Sequence, residues 1–193
     1  MRLTRPFFNR PTLTVARELL GQRLVYRHNG IRLAGLITET EAYIGQEDLA
    51  CHARVGRTAR NTVMFGPPGH AYVYFTYGMH WMLNFVTEVE GIPAAALIRA
   101  IAPTEGIELM RQRRNKPDAI LTDGPAKLTQ ALGIDKALNG ADLCARGSAL
   151  WLEAAPAVPK AQVRRGPRIG LGQTPEPWLS LKWNFKWTKG ISQ

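Results

Sequence analysis

Apolar positions along the chain change period several times, and each change marks an element. Thr12 to Leu20 carries Leu13, Val15, Ala16, Leu19 and Leu20 and predicts a helix, with Thr12 as N-cap and Gly21 as its stop. Arg23 to Tyr26 and Ile31 to Tyr43 are strand-like, and the Asn29-Gly30 pair between them is a hairpin signal. Glu47 to Ala53 predicts one short helical turn, followed by a polar loop from Arg54 to Asn61. After the break at Gly66-Pro67-Pro68-Gly69, Ala71 to Thr76 and His80 to Val86 form a second hairpin around Tyr77-Gly78. Ala94 to Ile101 reads as a buried strand. Thr104 to Arg113 and Asp123 to Leu132 read as helices, the latter with Asp123 as N-cap, Pro125 in its first turn and Gly133 at its end. Lys160 to Lys189 is loop-rich. No repeat, low-complexity tract or linker interrupts the chain. The expected architecture is α+β: one mixed domain over residues 1–193, with a curved, mostly antiparallel sheet, flanking helices and a protruding β-hairpin.

Charge sharpens this picture. Lys plus Arg exceed Asp plus Glu by 25 − 15 = +10, and such an excess on a small domain points to a polyanion, most often nucleic acid. The basic residues concentrate in the 54–61 loop (Arg54, Arg57, Arg60) and in the C-terminal part, where Lys160, Arg164, Arg165, Arg168, Lys182, Lys186 and Lys189 face one acid, Glu176. No segment reaches the roughly 18 apolar residues a membrane span needs, and no membrane partner is expected. The start, MRLTRPFFNRPT, lacks the apolar core of a signal peptide. Cys51 and Cys144 have no CxxC spacing, and His28, His52, His70 and His80 no zinc-like spacing. No metal or cofactor is expected, and the expected compartment is reducing and intracellular.

Candidate chemistry lies in Ile37 to Asp48 (ITETEAYIGQED). Side chains two apart on a strand share a face, so Glu39, Glu41 and Tyr43 point the same way. Two acids and an aromatic suit a cleft that handles a proton and holds a flat ligand. The alternative is that Glu39 and Glu41 are solvent-facing residues on an edge strand. The aromatic at the tip of the second hairpin spends apolar surface on water unless something docks there. An enzyme acting on a base inside duplex DNA needs such an acid–aromatic cluster, such a hairpin and a basic surface together: it must hold phosphates, fill the gap left by an extruded nucleotide and stack the base.

The stretches TETEAYIGQEDLACHA, GRTARN, MFGPPGHAYVYFTYGMHWMLN, ALIRAIAPTEG, TDGPAKLTQALGI and PRIGLG, in this order, resemble the alkyladenine (3-methyladenine) DNA glycosylases of the mammalian type. The likeness covers nearly the whole chain and is weakest at its ends. It implies that Glu41 is the catalytic acid–base residue, with Arg99 beside it. Tyr43 and His52 would sandwich the flipped base, with Tyr74 as a further aromatic wall and Asn84 on the pocket floor crowding the exocyclic amino group of normal guanine. Tyr77 would be the wedge in the base stack. Each has an alternative: for Arg99, a pair with Glu39 or another acid; for His52, a satisfied histidine; for Tyr77, a turn residue packed on its own sheet; for Asn84, a bonded interior amide. Backbone phosphates are assigned regionally to Arg57, Arg60, Arg168 and the Lys182–Lys189 stretch. His80-Trp81 stands where mammalian relatives carry Tyr-Phe, and Ala59 where they carry Pro.

The resemblance implies a monofunctional glycosylase working as a monomer on double-stranded DNA containing damaged purines: 3-methyladenine, 7-methylguanine, hypoxanthine or etheno-adenine. Its compartment would be the nucleoid-containing cytoplasm of a prokaryote, or the nucleus of a eukaryote. No lysine in the motif could serve as a Schiff-base nucleophile, so strand cleavage is not expected. The alternative function is a non-catalytic basic nucleic-acid-binding module using its tyrosines as stacking platforms.

Overall fold

A computed structural model describes residues 1–188. After two short helices, α1 (Arg5–Phe8) and α2 (Thr12–Glu18), strands β1 (Arg23–His28) and β2 (Ile31–Ile44) form the first hairpin. Its turn residues Asn29 and Gly30 both have positive φ, 49° and 80°, the backbone that suits the twist of paired strands. Strands β3 (Ala71–Thr76) and β4 (His80–Val86) form the second. With β5 (Ala94–Glu105) and β6 (Leu150–Glu153) they build a sheet in the order β3-β4-β5-β2-β1-β6. Two further strands, β7 (Val163–Gly166) and β8 (Asn184–Trp187), pair with each other, and β8 also joins β2. Every pairing among these described strands is antiparallel, which makes the fold α+β. Lys189, assigned above to the basic stretch, lies outside the described residues.

Strand β2 is central, not an edge, which removes the solvent-facing alternative for Glu39 and Glu41. Its inner half is flanked by β5 on one side and β8 on the other, with Glu39 opposite both Ala100 and Lys186. The β2–β5 register slips on either side of Glu39. A bulge of this kind re-aims the side chains beside it.

Boundaries moved where tertiary pairing outweighed local signals. Strand β5 runs on to Glu105, so α3 (Ile107–Arg114) starts later than Thr104. Gly106 joins the two at φ 72°, where a Cβ would run into Leu33 and the Arg32 carbonyl. Only glycine fits that turn. Helix α4 (Pro125–Leu132) begins at its proline with Gly124 as the cap, while Asp123 pairs with Lys127 at 2.8 Å instead of capping. Thr12 is likewise a first-turn residue, its hydroxyl bonded to Thr87 and Glu88. The helical turn expected over Glu47–Ala53 is displaced to a 3-10 turn at His52–Val55. No helix among the described residues is long and apolar enough to cross a membrane.

The main core packs α2, α3 and α4 on the sheet through residues such as Val15, Ile37, Phe85, Ile98, Met110 and Leu128, all fully buried. A second, smaller cluster of Cys51, Ala53, Met64, Tyr72, Val86 and Ala95 lies under the 52–65 segment, with Tyr43 and Tyr74 packed against it. That cluster is the floor on which the candidate site is built.

Candidate active site

Strands β2 and β5 run antiparallel with Glu41 opposite Leu97, and the neighbouring Arg99 reaches back across the pair. Its guanidinium bonds both acids, Nε to Glu39 Oε1 at 2.9 Å and Nη1 to Glu41 Oε2 at 3.2 Å. The structure thus joins both readings of Arg99: it is the partner of Glu39 and also of Glu41. Glu41 itself is completely removed from solvent. Its Oε2 also accepts from the Tyr43 hydroxyl at 2.9 Å, while Oε1 accepts from the backbone N–H of Ile169 at 2.7 Å and from Asn184 Nδ2 at 3.1 Å. Four donors fill the acceptor capacity of one carboxylate, and a buried charge held this way is compensated. Asn184 bridges to Glu39 as well, at 2.8 Å.

Tyr43, Arg99 and Ile169 line a cleft of about 700 Å³, so the carboxylate sits directly behind its wall. Further lining comes from the segment after β2 and from the β3–β4 hairpin: His52, Tyr72, Tyr74, Tyr77 and Asn84 among them. The structure therefore gathers every residue assigned to the pocket and the wedge around one cavity. His52 and Tyr74 meet edge-on with ring centroids 4.4 Å apart, and His52 Nδ1 lies 3.0 Å from the Tyr72 hydroxyl. Burial, helped by the charges of Arg60 and Arg54, lowers the His52 pKa to about 4, so its ring is neutral at pH 7. Burial pushes the Tyr74 phenol up to about 12. The Tyr43 phenol is raised well above its usual range, by burial first and then by the negative charge of Glu41. The cleft thus presents neutral aromatic groups. Asn84 is both a cleft residue and a bonded interior amide, its Nδ2 donating to the Tyr72 carbonyl at 3.0 Å.

Tyr77 stands at the tip of the β3–β4 hairpin in a left-handed conformation, φ 52°, and is 78% exposed. The alternative of a tyrosine packed on its own sheet fails on that exposure. Met79 and Phe75 are exposed beside it, and Trp81 packs on Phe75 at 4.7 Å.

Of the residues assigned to phosphate contact, Arg57, Arg60 and, in the C-terminal stretch, Lys182 and Lys186 lie on the surface. Arg57 bonds Thr62, and Arg60 bonds the Phe75 carbonyl, which ties the basic loop to β3. Arg168 is a correction. Its side chain is fully buried and forms a two-pronged pair with the equally buried Asp48, Nη2 to Oδ1 at 2.9 Å and Nη1 to Oδ2. A guanidinium so enclosed has no face to offer a phosphate. Sequence reasoning also missed Tyr72, Ile169 and Asn184. Tyr72 shared the strand alternation of its neighbours and could have been found; the other two lie more than 120 residues from Glu41, where no spacing rule reaches. Among the described residues, no group of three or more His, Cys, Asp or Glu is arranged to hold a metal ion.

Residues 6–190 match the family model described as Methylpurine-DNA glycosylase (MPG). A protein of Methanocella arvoryzae is 53% identical over 185 residues, 95% of this chain and 90% of that relative. Relatives from Chlorobaculum parvum (48% identical over 92% of this chain and 85% of their own length) and Myxococcus xanthus (50% over 88% and 81%) follow. All three carry the provisional name 3-methyladenine DNA glycosylase.

Proposed function

Because the chain belongs to the methylpurine-DNA glycosylase family, we propose that it excises alkylated and deaminated purines from duplex DNA by a water molecule that Glu41 activates. The observation that carries this reading is the position of the Glu41 carboxylate: shielded from solvent, yet bonded to three groups that form the cleft wall, Tyr43, Arg99 and Ile169. As the C1′–N bond of an extruded nucleotide lengthens, positive charge grows on the sugar. An ionised carboxylate within reach stabilises that charge and takes the proton of the attacking water as the C1′–O bond forms. The bond electrons leave with the base, and an abasic site remains.

All four acceptor positions of Glu41 are occupied, so an attacking water must replace one donor. The Tyr43 hydroxyl, on the cleft side, is the donor we assign to this exchange; Ile169, Asn184 and Arg99 keep the carboxylate in place. Neutral aromatic walls fit purine lesions. An alkylated base carries positive charge, which the face of a tyrosine attracts, and a cationic base leaves without prior protonation. Hypoxanthine and etheno-adenine are neutral: stacking holds them, Asn84 crowds the amino group of guanine, and the purine anion that departs takes up the proton Glu41 gained from the water. Tyr77 would fill the vacated position in the stack, a role its exposure at the hairpin tip supports.

The test is Glu41→Gln assayed on duplexes containing hypoxanthine or 3-methyladenine. Base release should fall to background while affinity for a duplex with an abasic-site analogue stays near wild type. Wild-type excision by the variant would remove Glu41 from the chemistry. A protein that binds duplex DNA but releases neither base, even as wild type, would be the non-catalytic binding module instead.

A further inference from the structure

Arg168 does more than fill space. Besides its pair with Asp48, its guanidinium donates to the carbonyls of Ala42 and Trp178. Its central carbon lies 4.7 Å from the centroid of the Tyr43 ring and 4.9 Å from that of Trp183. Tyr43 lines the cleft, but the fully buried Arg168 does not. The cation therefore covers a part of the Tyr43 ring turned away from the cleft, and a bound base meets what remains.

We infer that Arg168 is a specificity-determining residue, a buried cation that weakens the hold of Tyr43 on positively charged bases relative to neutral ones. The inference rests on the proposed reading of Tyr43 as a wall against the base. An aromatic ring attracts a cation through the negative potential of its face. A guanidinium already against the ring draws on that potential and adds a like charge on the far side, with protein instead of water between the two. Asp48 offsets the charge in part, because it contacts the guanidinium and not the ring. A neutral purine, held by stacking, feels little of this. The competing role is a clasp: Asp48 also caps the backbone N–H groups of Ile44 and Ala50, and Arg168 adjoins Ile169, so the pair ties together two loops of the cleft. A clasp serves all bases alike, and that difference separates the two roles.

The experiment compares single-turnover excision of 7-methylguanine, which is cationic in DNA, with that of neutral hypoxanthine, and follows the ratio of the two rates. The double variant D48N/R168Q removes both charges and keeps hydrogen-bonding groups in place; it should raise the cationic-to-neutral ratio about tenfold. R168K keeps the charge and should leave the ratio near wild type. D48N alone leaves the cation unbalanced and should lower the ratio, which gives a second reading if the double variant does not fold. An unmoved ratio with both rates reduced in proportion overturns the inference and leaves the clasp, as does a ratio that rises in D48N. A wild-type protein that excises neither base overturns the proposed function first, and this inference with it.

Discussion

His52 shows how a site residue takes its properties from its surroundings. Burial among Tyr72 and Tyr74, with Arg60 and Arg54 nearby, depresses its pKa to about 4. An unfolded chain would protonate this imidazole near pH 6.5, so between about pH 6.5 and 4 the unfolded state binds a proton that the folded state refuses. Stability should therefore fall as the pH is lowered through that window. The loss should be smaller in His52→Gln, measured as denaturant midpoints at pH 7 and pH 4.5; equal losses in both proteins would mean that His52 titrates normally. Glu41 and Tyr43 were legible as residues because they are two apart on one strand, and local periodicity sets their common direction. Asn184 and Ile169 were not legible. Each contributes one hydrogen bond to Glu41 across more than 120 residues of chain, and nothing in their local sequence encodes that meeting. Arg168 is the instructive miss, since a basic residue in a basic stretch reads as solvated until its partner Asp48 is known.

At the scale of elements, the two hairpins were the clearest predictions, because Asn29-Gly30 and Tyr77-Gly78 each supply positive φ where a tight turn needs it. The β3–β4 hairpin carries Tyr77, the proposed wedge, at its exposed tip. Replacing Tyr77 by Ser removes an exposed ring that no core contact supports, so folding stability should change by less than about 0.5 kcal/mol. Affinity for a lesion-containing duplex should fall by roughly five- to 150-fold, given the ~1–3 kcal/mol that stacking on a base is worth. Titration of a fluorescent hypoxanthine duplex with both proteins checks this, and unchanged affinity would remove Tyr77 from the base stack. Helix starts were less legible. The caps expected at Thr12 and Asp123 lost to Pro11 and Gly124, because Thr12 and Asp123 found partners elsewhere in the fold.

For the whole molecule, the excess of positive charge predicts that DNA binding weakens steeply with salt. About five phosphate contacts would give a log–log slope near −4.5. Arg57→Ala should make the slope shallower by about 0.9, whereas D48N/R168Q, which removes the Arg168 charge, should leave it unchanged, since Arg168 is enclosed; binding measured across a salt series tests both. A shallower slope for D48N/R168Q would return Arg168 to the phosphate surface. The amino-acid sequence by itself determined the α+β class, the hairpins, the positive charge and the β2 run of acids with an aromatic, because periodicity, turn chemistry and composition act over short distances along the chain. Tertiary structure alone decided which groups surround the Glu41 carboxylate and that Arg168 faces Tyr43 instead of DNA. Those outcomes depend on which distant segments share a buried space, where an unpaired charge is costly and each one must find its partner.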